Sequence, residues 1–454
     1  MSEPAAPHGP AAPHRPATPH GEWAGAVVTL HGPAGPPGTP LDTWLSRGDH
    51  ITGGLRPPVG PLPGIVVEVR GPAALLERAR AGLGEGPATA EAVAVRLRRA
   101  AVALVPGPPA LRVDRRGLAE LCRARGRDAV RVLRRDPSLL PELQSGSWWA
   151  GGWRARLARR ALLGVRVGTG RLPARLLADL AFWSGVREAA SAAEWQRLAA
   201  SSYVALCYHR LAGAAKPGQE RMDVAPRTLE RQLRLLRVLG WRRLSAEDVV
   251  AFHTRPDVAL PRRRYVLTAD DGYAETVREL TGHAGLRPQV FAVTGSVGAR
   301  ASWLADETLA GWDELRGLRA AGGEVGSHAR RHVRLDTLPD AEIEAEVAGS
   351  LDDLRAMLPV DVPLMAYPHG RHDERVRAAA RRAGYLAAYT TAQGRNGAGT
   401  DRWCLRRVEP KVWDTTLSFA WKVVTGESPP PRWERRLERR WAARRSAAGA
   451  RGGG

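Results

Sequence analysis

Four short polar blocks in the second half of the chain hold residues able to activate water. They are Tyr208-His209-Arg210, Thr268-Ala269-Asp270-Asp271-Gly272, His328-Ala329-Arg330-Arg331-His332 and Tyr367-Pro368-His369-Gly370. One carboxylate and two imidazoles make an open ligand set for a divalent ion, and a second carboxylate beside them can take a proton from water. Metal-assisted hydrolysis is the chemistry that suits this combination. Each block also has a plainer reading. One Asp of the pair can cap a helix beginning near Tyr273, since Asp is a favoured N-cap. The two His, with Ala and two Arg between them, can be a solvated basic segment; they share one side only if a helical turn follows Ser327. The fixed order of the blocks, each at the end of an apolar run, favours the catalytic reading.

Those apolar runs supply the positioning elements. Short β-rich stretches at 203–208, 265–269, 289–294, 323–326, 364–367, 386–390 and 404–408 alternate with helical patterns at 226–239, 274–280, 312–321, 340–358 and 373–383. Strands alternating with helices predict parallel βα units, and seven of them suit a barrel. In such barrels reacting groups collect where strands end and loops begin. His209, Asp270, Asp271, His328 and His369 all fall just past such ends. Adjacent side chains on a strand point to opposite faces, so Asp270 and Asp271 can serve one site only where the backbone leaves the strand, which Gly272 permits.

The rest of the chain carries no comparable constellation. Residues 1–22 repeat Pro, Ala and His and read as a disordered tail. Residues 23–143 read as a small α/β region, with strands expected at 26–30 and 64–69 and helices at 73–83, 89–102 and 116–133. Residues 144–200 form a basic, Trp-rich helical connector. Its Trp148, Trp149, Trp153, Trp183 and Trp195 either lie against a membrane or partner or pack between neighbouring parts of the fold. After residues 201–425, GESPPP reads as a linker into a basic amphipathic tail, 426–454. There Trp433, Leu437 and Trp441 recur every four residues among arginines, a pattern able to rest on anionic lipid or to pack on the barrel.

Composition sets limits. The formal net charge is +21, but only Lys216, Lys411 and Lys422 are lysines, which leaves 65 arginines among the 68 basic residues. With abundant Ala, Gly and Pro, this reflects GC-rich coding, so the charge is no argument for nucleic acid. Cys122, Cys207 and Cys404 show no metal or disulfide spacing. The N-terminus has no basic segment followed by an apolar core, and no apolar run reaches membrane-spanning length. A cytoplasmic protein, peripheral at most at the inner membrane face, is expected.

The blocks CYHR, TADDGY, GGEVGSHARRH and AYPHG, with WDELRGLRAAG, EIEAEVAGSLDDL and AGYLAAYTT around them, give residues 203–424 a pattern that resembles the polysaccharide deacetylase family. This is the NodB-homology or carbohydrate esterase family 4 domain. The resemblance implies a distorted (β/α) barrel that holds a divalent ion, most often zinc. It assigns Asp271, His328 and His332 as metal ligands and Asp270 as catalytic base. His209, Tyr367 and Pro368 would bind substrate. The chain departs from the pattern in several places. Ala269 stands for the usual Phe and Ala329 for the usual Ser or Thr. The Arg that in many members pairs with the catalytic Asp would fall at Ala366. Leu405-Arg406-Arg407 stands where many members carry Leu-x-His, so the general acid is unassigned, with His369 and His372 as substitutes. The expected activity is removal of N-acetyl groups from an acetylated amino sugar in a glycan or glycolipid. The alternative is a weakened carbohydrate-binding or assembly protein that retains the fold.

Overall fold

The computed structural model describes residues 23–29, 66–70, 78–83, 88–100, 105–106, 111–113, 115–150, 152–163, 172–213, 222–304 and 306–452. The expected tail at 1–22 and part of the helix expected at 73–83 lie outside the described residues. Near the N-terminus, β1 (Trp23–Thr29) pairs in parallel with β2 (Val66–Arg70) and antiparallel with β3 (Val105–Pro106) and β4 (Leu111–Val113). Helices follow at Thr89–Arg99 and Arg115–Arg135.

In the Trp-rich segment 144–200 three of the five indoles are enclosed rather than turned outward. Trp148, Trp149 and Trp183 are buried, and Trp148 packs edge-on against Trp183 and Trp195. The Arg159 guanidinium lies over both Trp148 and Trp183 and is held by Asp179 at 2.6 Å. One apolar cluster joins Leu97, Trp183, Tyr203, Phe252 and Tyr389, so the helices before residue 200 share a core with the strands that follow. Burial of indoles outweighs surface exposure here because each ring removes a large apolar area from water.

The second sheet contains β5 (Ser202–Tyr208), β6 (Arg242–Arg243), β7 (Arg264–Ala269), β8 (Gln289–Ala292), β9 (Glu324–Ser327), β10 (Leu364–Ala366), β11 (Ala387–Tyr389) and β12 (Asn396–Gly397). Its order is β11-β10-β9-β8-β7-β5-β12, with β6 beside β7, and every pairing is parallel except β12 with β5. Six of the seven expected runs are these parallel strands. The seventh, 404–408, bridges β11 and β5 across the curled sheet: Leu405 pairs with Tyr389 and Val408 with Leu206. The result is a distorted barrel of the expected class. Every residue of β5 is buried, as a parallel strand covered on both faces requires.

Local signals explain where the surrounding helices begin and end. Ser245 and Asp248 form a reciprocal cap on Ala246–Thr254. The Asp373 side chain caps Glu374–Ala383, which Gly384 ends in a left-handed conformation. The C-terminal helix Pro431–Gly452 turns the stripe of its Trp433, Leu437 and Trp441 inward. Leu437 is buried, Trp441 lies 6.2 Å from Trp413 and Trp433 lies 5.9 Å from Trp421. Among the described residues no helix is long and apolar enough to cross a membrane.

Candidate active site

Strand β7 ends at Ala269, and the backbone then turns sharply. Asp271 has φ 70° and Gly272 φ 76°, so two successive residues adopt the left-handed region. That turn lets both carboxylates serve one site. Neither Asp caps the following helix, whose N-cap is Tyr273. The left-handed turn favours glycine, and a Cβ at Gly272 would in addition crowd Ala292 Cα at 3.3 Å.

No helical turn follows Ser327, the condition under which the spacing alone would set both His on one side. Past β9 the chain is irregular, with Ala329 buried at φ 63°. Ser327 Oγ accepts from Ala329 N at 2.9 Å, and Thr294 N donates to Ala329 O at 3.1 Å. The two arginines between the histidines are exposed, and each is tied to an acid of the neighbouring helix. Arg330 pairs with Asp353 at 3.0 Å, while Arg331 N donates to the buried Glu346 at 2.8 Å. Both acids sit on the helix Asp340–Met357, which thereby fixes the loop.

The loop brings His328 and His332 to the same carboxylate oxygen. His328 Nε2 lies 3.5 Å and His332 Nε2 3.4 Å from Asp271 Oδ1. Donors at ~2.0–2.2 Å from one tetrahedral ion stand about 3.3–3.6 Å apart, so these separations fit a shared ion. Asp271 Oδ1 is buried and has no hydrogen-bond partner. An orphaned buried carboxylate oxygen between two imidazole nitrogens is what a cation would satisfy. His328 Nδ1 is engaged by Ala366 O at 2.7 Å, which leaves Nε2 for the ion. Burial lowers both histidines, His332 to about 3, so they are neutral and able to ligate near pH 7. Burial, together with the neighbouring Asp270, pushes Asp271 up to about 7, a cost that a bound cation relieves.

Asp270 has a different environment. Burial would raise its carboxyl, but the Arg407 guanidinium overrides this and holds it well below the usual carboxylate range. The contact is a fork, with Nη1 2.6 Å from Oδ1 and Nη2 2.7 Å from Oδ2, and Arg407 Nε is fixed by Thr390 O at 2.9 Å. The arginine that the sequence lacks at position 366 is therefore supplied from the closing segment 404–408. The two residues are 137 apart in sequence, so no local pattern links them.

His209 stands between two acids. Its Nε2 is 4.0 Å from Asp270 Oδ2 and its Nδ1 is 3.4 Å from Glu409 Oε1. Burial lowers it to about 4. Glu409 went unrecognised in the sequence, although it lies two residues past Arg407 on the same segment. Of the two substitute acids, His369 is exposed at φ 57°, with its ring 4.4 Å from that of His332. His372 is turned aside: it stacks on Tyr367 at 4.9 Å, and its nitrogens face Gly370 O and Cys404 Sγ. Tyr367 and Pro368 are buried, and the Tyr367 hydroxyl donates to Trp403 O at 3.2 Å. Neither presents an open surface to a substrate; both support the loop beneath His369.

Residues 257–388 match the model of the polysaccharide deacetylase family. A Bacillus subtilis (strain 168) protein named "Putative polysaccharide deacetylase YxkH" is 22% identical over 206 residues, which covers 45% of this chain and 69% of that one. The solved Streptococcus pyogenes deacetylase PplD, in complex with acetate, is 20% identical with a TM-score of 0.43. That match covers 50% of this chain and 98% of that chain. IcaB from Ammonifex degensii is 22% identical with a TM-score of 0.43, over 50% of this chain and 98% of that one.

Proposed function

We propose, from the premise that residues 257–388 carry a polysaccharide deacetylase domain, that the chain is a metal-dependent hydrolase removing N-acetyl groups from an acetylated amino sugar in a glycan or glycolipid. The observation that carries this reading is the trio of donors on Asp271, His328 and His332, spaced for one ion and adjoining a carboxylate held ionised by Arg407. Asp271, His328 and His332 would hold a divalent ion, and two nitrogens with one oxygen suit zinc; when bound it would supply Lewis acidity towards the acetyl carbonyl and lower the pKa of water.

The remaining steps belong to the chain's own residues. Asp270 takes the proton of the attacking water; Arg407 fixes its orientation and keeps it ionised. The amide C–N bond then breaks, and the departing nitrogen needs a proton. His209 is the group best disposed to deliver it. Its Nε2 lies 4.0 Å from Asp270 Oδ2, whose carboxylate favours the imidazolium and from which it can receive the proton on a small approach, while Glu409 stands on the other side and is itself paired with Lys411. The products are acetate and a free amine.

Acetate release from N-acetylglucosamine oligomers, measured with and without a chelator, tests the activity; no release from any acetylated oligomer by metal-loaded protein would end the proposal. His209→Gln separates the proton donor from the rest. It should lower amide hydrolysis by about 100-fold or more. Hydrolysis of p-nitrophenyl acetate, whose leaving group needs no proton, should fall far less. Equal losses on both substrates would remove His209 from that role.

A further inference from the structure

The helix Thr416–Thr425 exposes two large aliphatic side chains, Leu417 at 68% and Val424 at 60%. They lie four residues before and three residues after Trp421, so all three occupy one side of the helix. Trp421 is half-buried between two other indoles, with Trp153 at 5.1 Å and Trp433 at 5.9 Å. Trp153 opens the helix Trp153–Leu162, and one turn further along the same side Leu157 is 59% exposed. Three segments distant in sequence thus build one apolar and aromatic strip. It contains three of the six large hydrophobic side chains exposed among the described residues.

Arginines border the strip. The Arg154 guanidinium lies 5.5 Å from the Trp153 ring centroid. On the C-terminal helix Arg432, Arg435, Arg436, Arg439 and Arg440 are all exposed, so the helix that turns Leu437 into the protein keeps its charge outward. Indoles at a polar–apolar boundary, aliphatic side chains beyond them and arginines around them match the depth profile of a bilayer surface. Each arginine gains in addition from an anionic leaflet.

We propose that this strip docks on an anionic lipid surface, with Leu417, Val424 and Leu157 entering the headgroup boundary and the arginines meeting lipid phosphates. The site differs from the one the bare sequence suggests. The tryptophans at 148, 183 and 195 pack against one another and take no part, and the C-terminal helix contributes its charge and Trp433 rather than its whole apolar stripe.

The test uses the full-length chain in sedimentation with vesicles of equal phosphatidylglycerol and phosphatidylcholine, against pure phosphatidylcholine vesicles. The chain should sediment with the anionic vesicles and be released by salt. Leu417→Ser combined with Val424→Ser should lower that partition by about tenfold or more, since two aliphatic side chains no longer gain by leaving water. The double variant should keep its circular dichroism spectrum and melting temperature, because both positions are exposed. A second readout needs no apolar side chain to be lost from Val424: Leu417→Cys carrying an environment-sensitive fluorophore should shift to the blue with anionic vesicles. Equal recovery with both vesicle types, an unchanged partition of the double variant, or an unshifted fluorophore would each overturn the proposal. So would a dimer in sedimentation velocity that the double variant dissociates without any vesicle binding, which would make the strip a contact between two copies of the chain.

Discussion

Asp270→Asn should cut acetate release by about 10²–10⁴-fold, the range a positioned acid–base group contributes, while bound metal per chain stays at the parental level. The amide keeps the shape of the carboxylate but cannot accept the proton of water. It also leaves the guanidinium of Arg407 buried without its counter-charge, and breaking one side of a buried ion pair costs about 3–5 kcal/mol, so the variant should melt lower as well. A variant that hydrolysed at the parental rate would show that Asp270 is not the base. The complementary change, Arg407→Gln, releases the Asp270 carboxyl from the charge that holds it down. Its pKa then rises, so the acid limb of the activity profile should move to higher pH. The same pair has a signature in stability. Asp270 is depressed in the folded chain from an ordinary value of 3.8, so its contribution is complete above that value and is lost as pH falls towards the folded value. Parental protein should therefore lose stability below about pH 4 more steeply than Arg407→Gln.

His328→Ala should abolish stoichiometric metal binding and, with it, hydrolysis. The residue contributes one of three donors and cannot be replaced by a neighbour, since His332 and Asp271 already face the same point. Metal content by atomic spectroscopy and a titration calorimetry profile both read this directly. Retention of one ion per chain in the variant would remove His328 from the ligand set. Metal uptake by the parental protein should also depend on pH in a definite direction. Metal-free Asp271 is pushed up to about 7, so below that pH an ion must displace a proton and apparent affinity should fall, with proton release on binding. Above it the carboxylate is already ionised and affinity should level off.

The succession of strands, the helices between them and the chemical type of the site follow from local regularities. β5 and β7 are continuous apolar runs that end in polar residues, and the helices at 340–358 and 373–383 are framed by acidic starts and, for the second, by Gly384. Such signals act over a few residues and need no knowledge of the fold, and so Asp270, Asp271, His328 and His332 could be singled out before their distances were known. Whether a helical turn joins the two His was left open by the sequence, because the left-handed Ala329 of the loop that forms instead is held by Ser327, Thr294 and the helix carrying Glu346 and Asp353, contacts that no local pattern contains.

What the sequence by itself determined is the alternation of strands and helices, and with it the placing of an Asp pair and a His pair at strand ends. Only the tertiary structure decided which charged groups face one another. The segment 404–408 closes the barrel between β11 and β5, and that closure delivers Arg407 to Asp270 and Glu409 to His209. The same holds for the tryptophans: equal in composition and setting along the chain, Trp183 is fully enclosed while Trp421 borders an exposed strip. Burial is a property of what packs on a residue from afar, and charge pairing in a low-dielectric interior depends on ångström distances between segments more than a hundred residues apart.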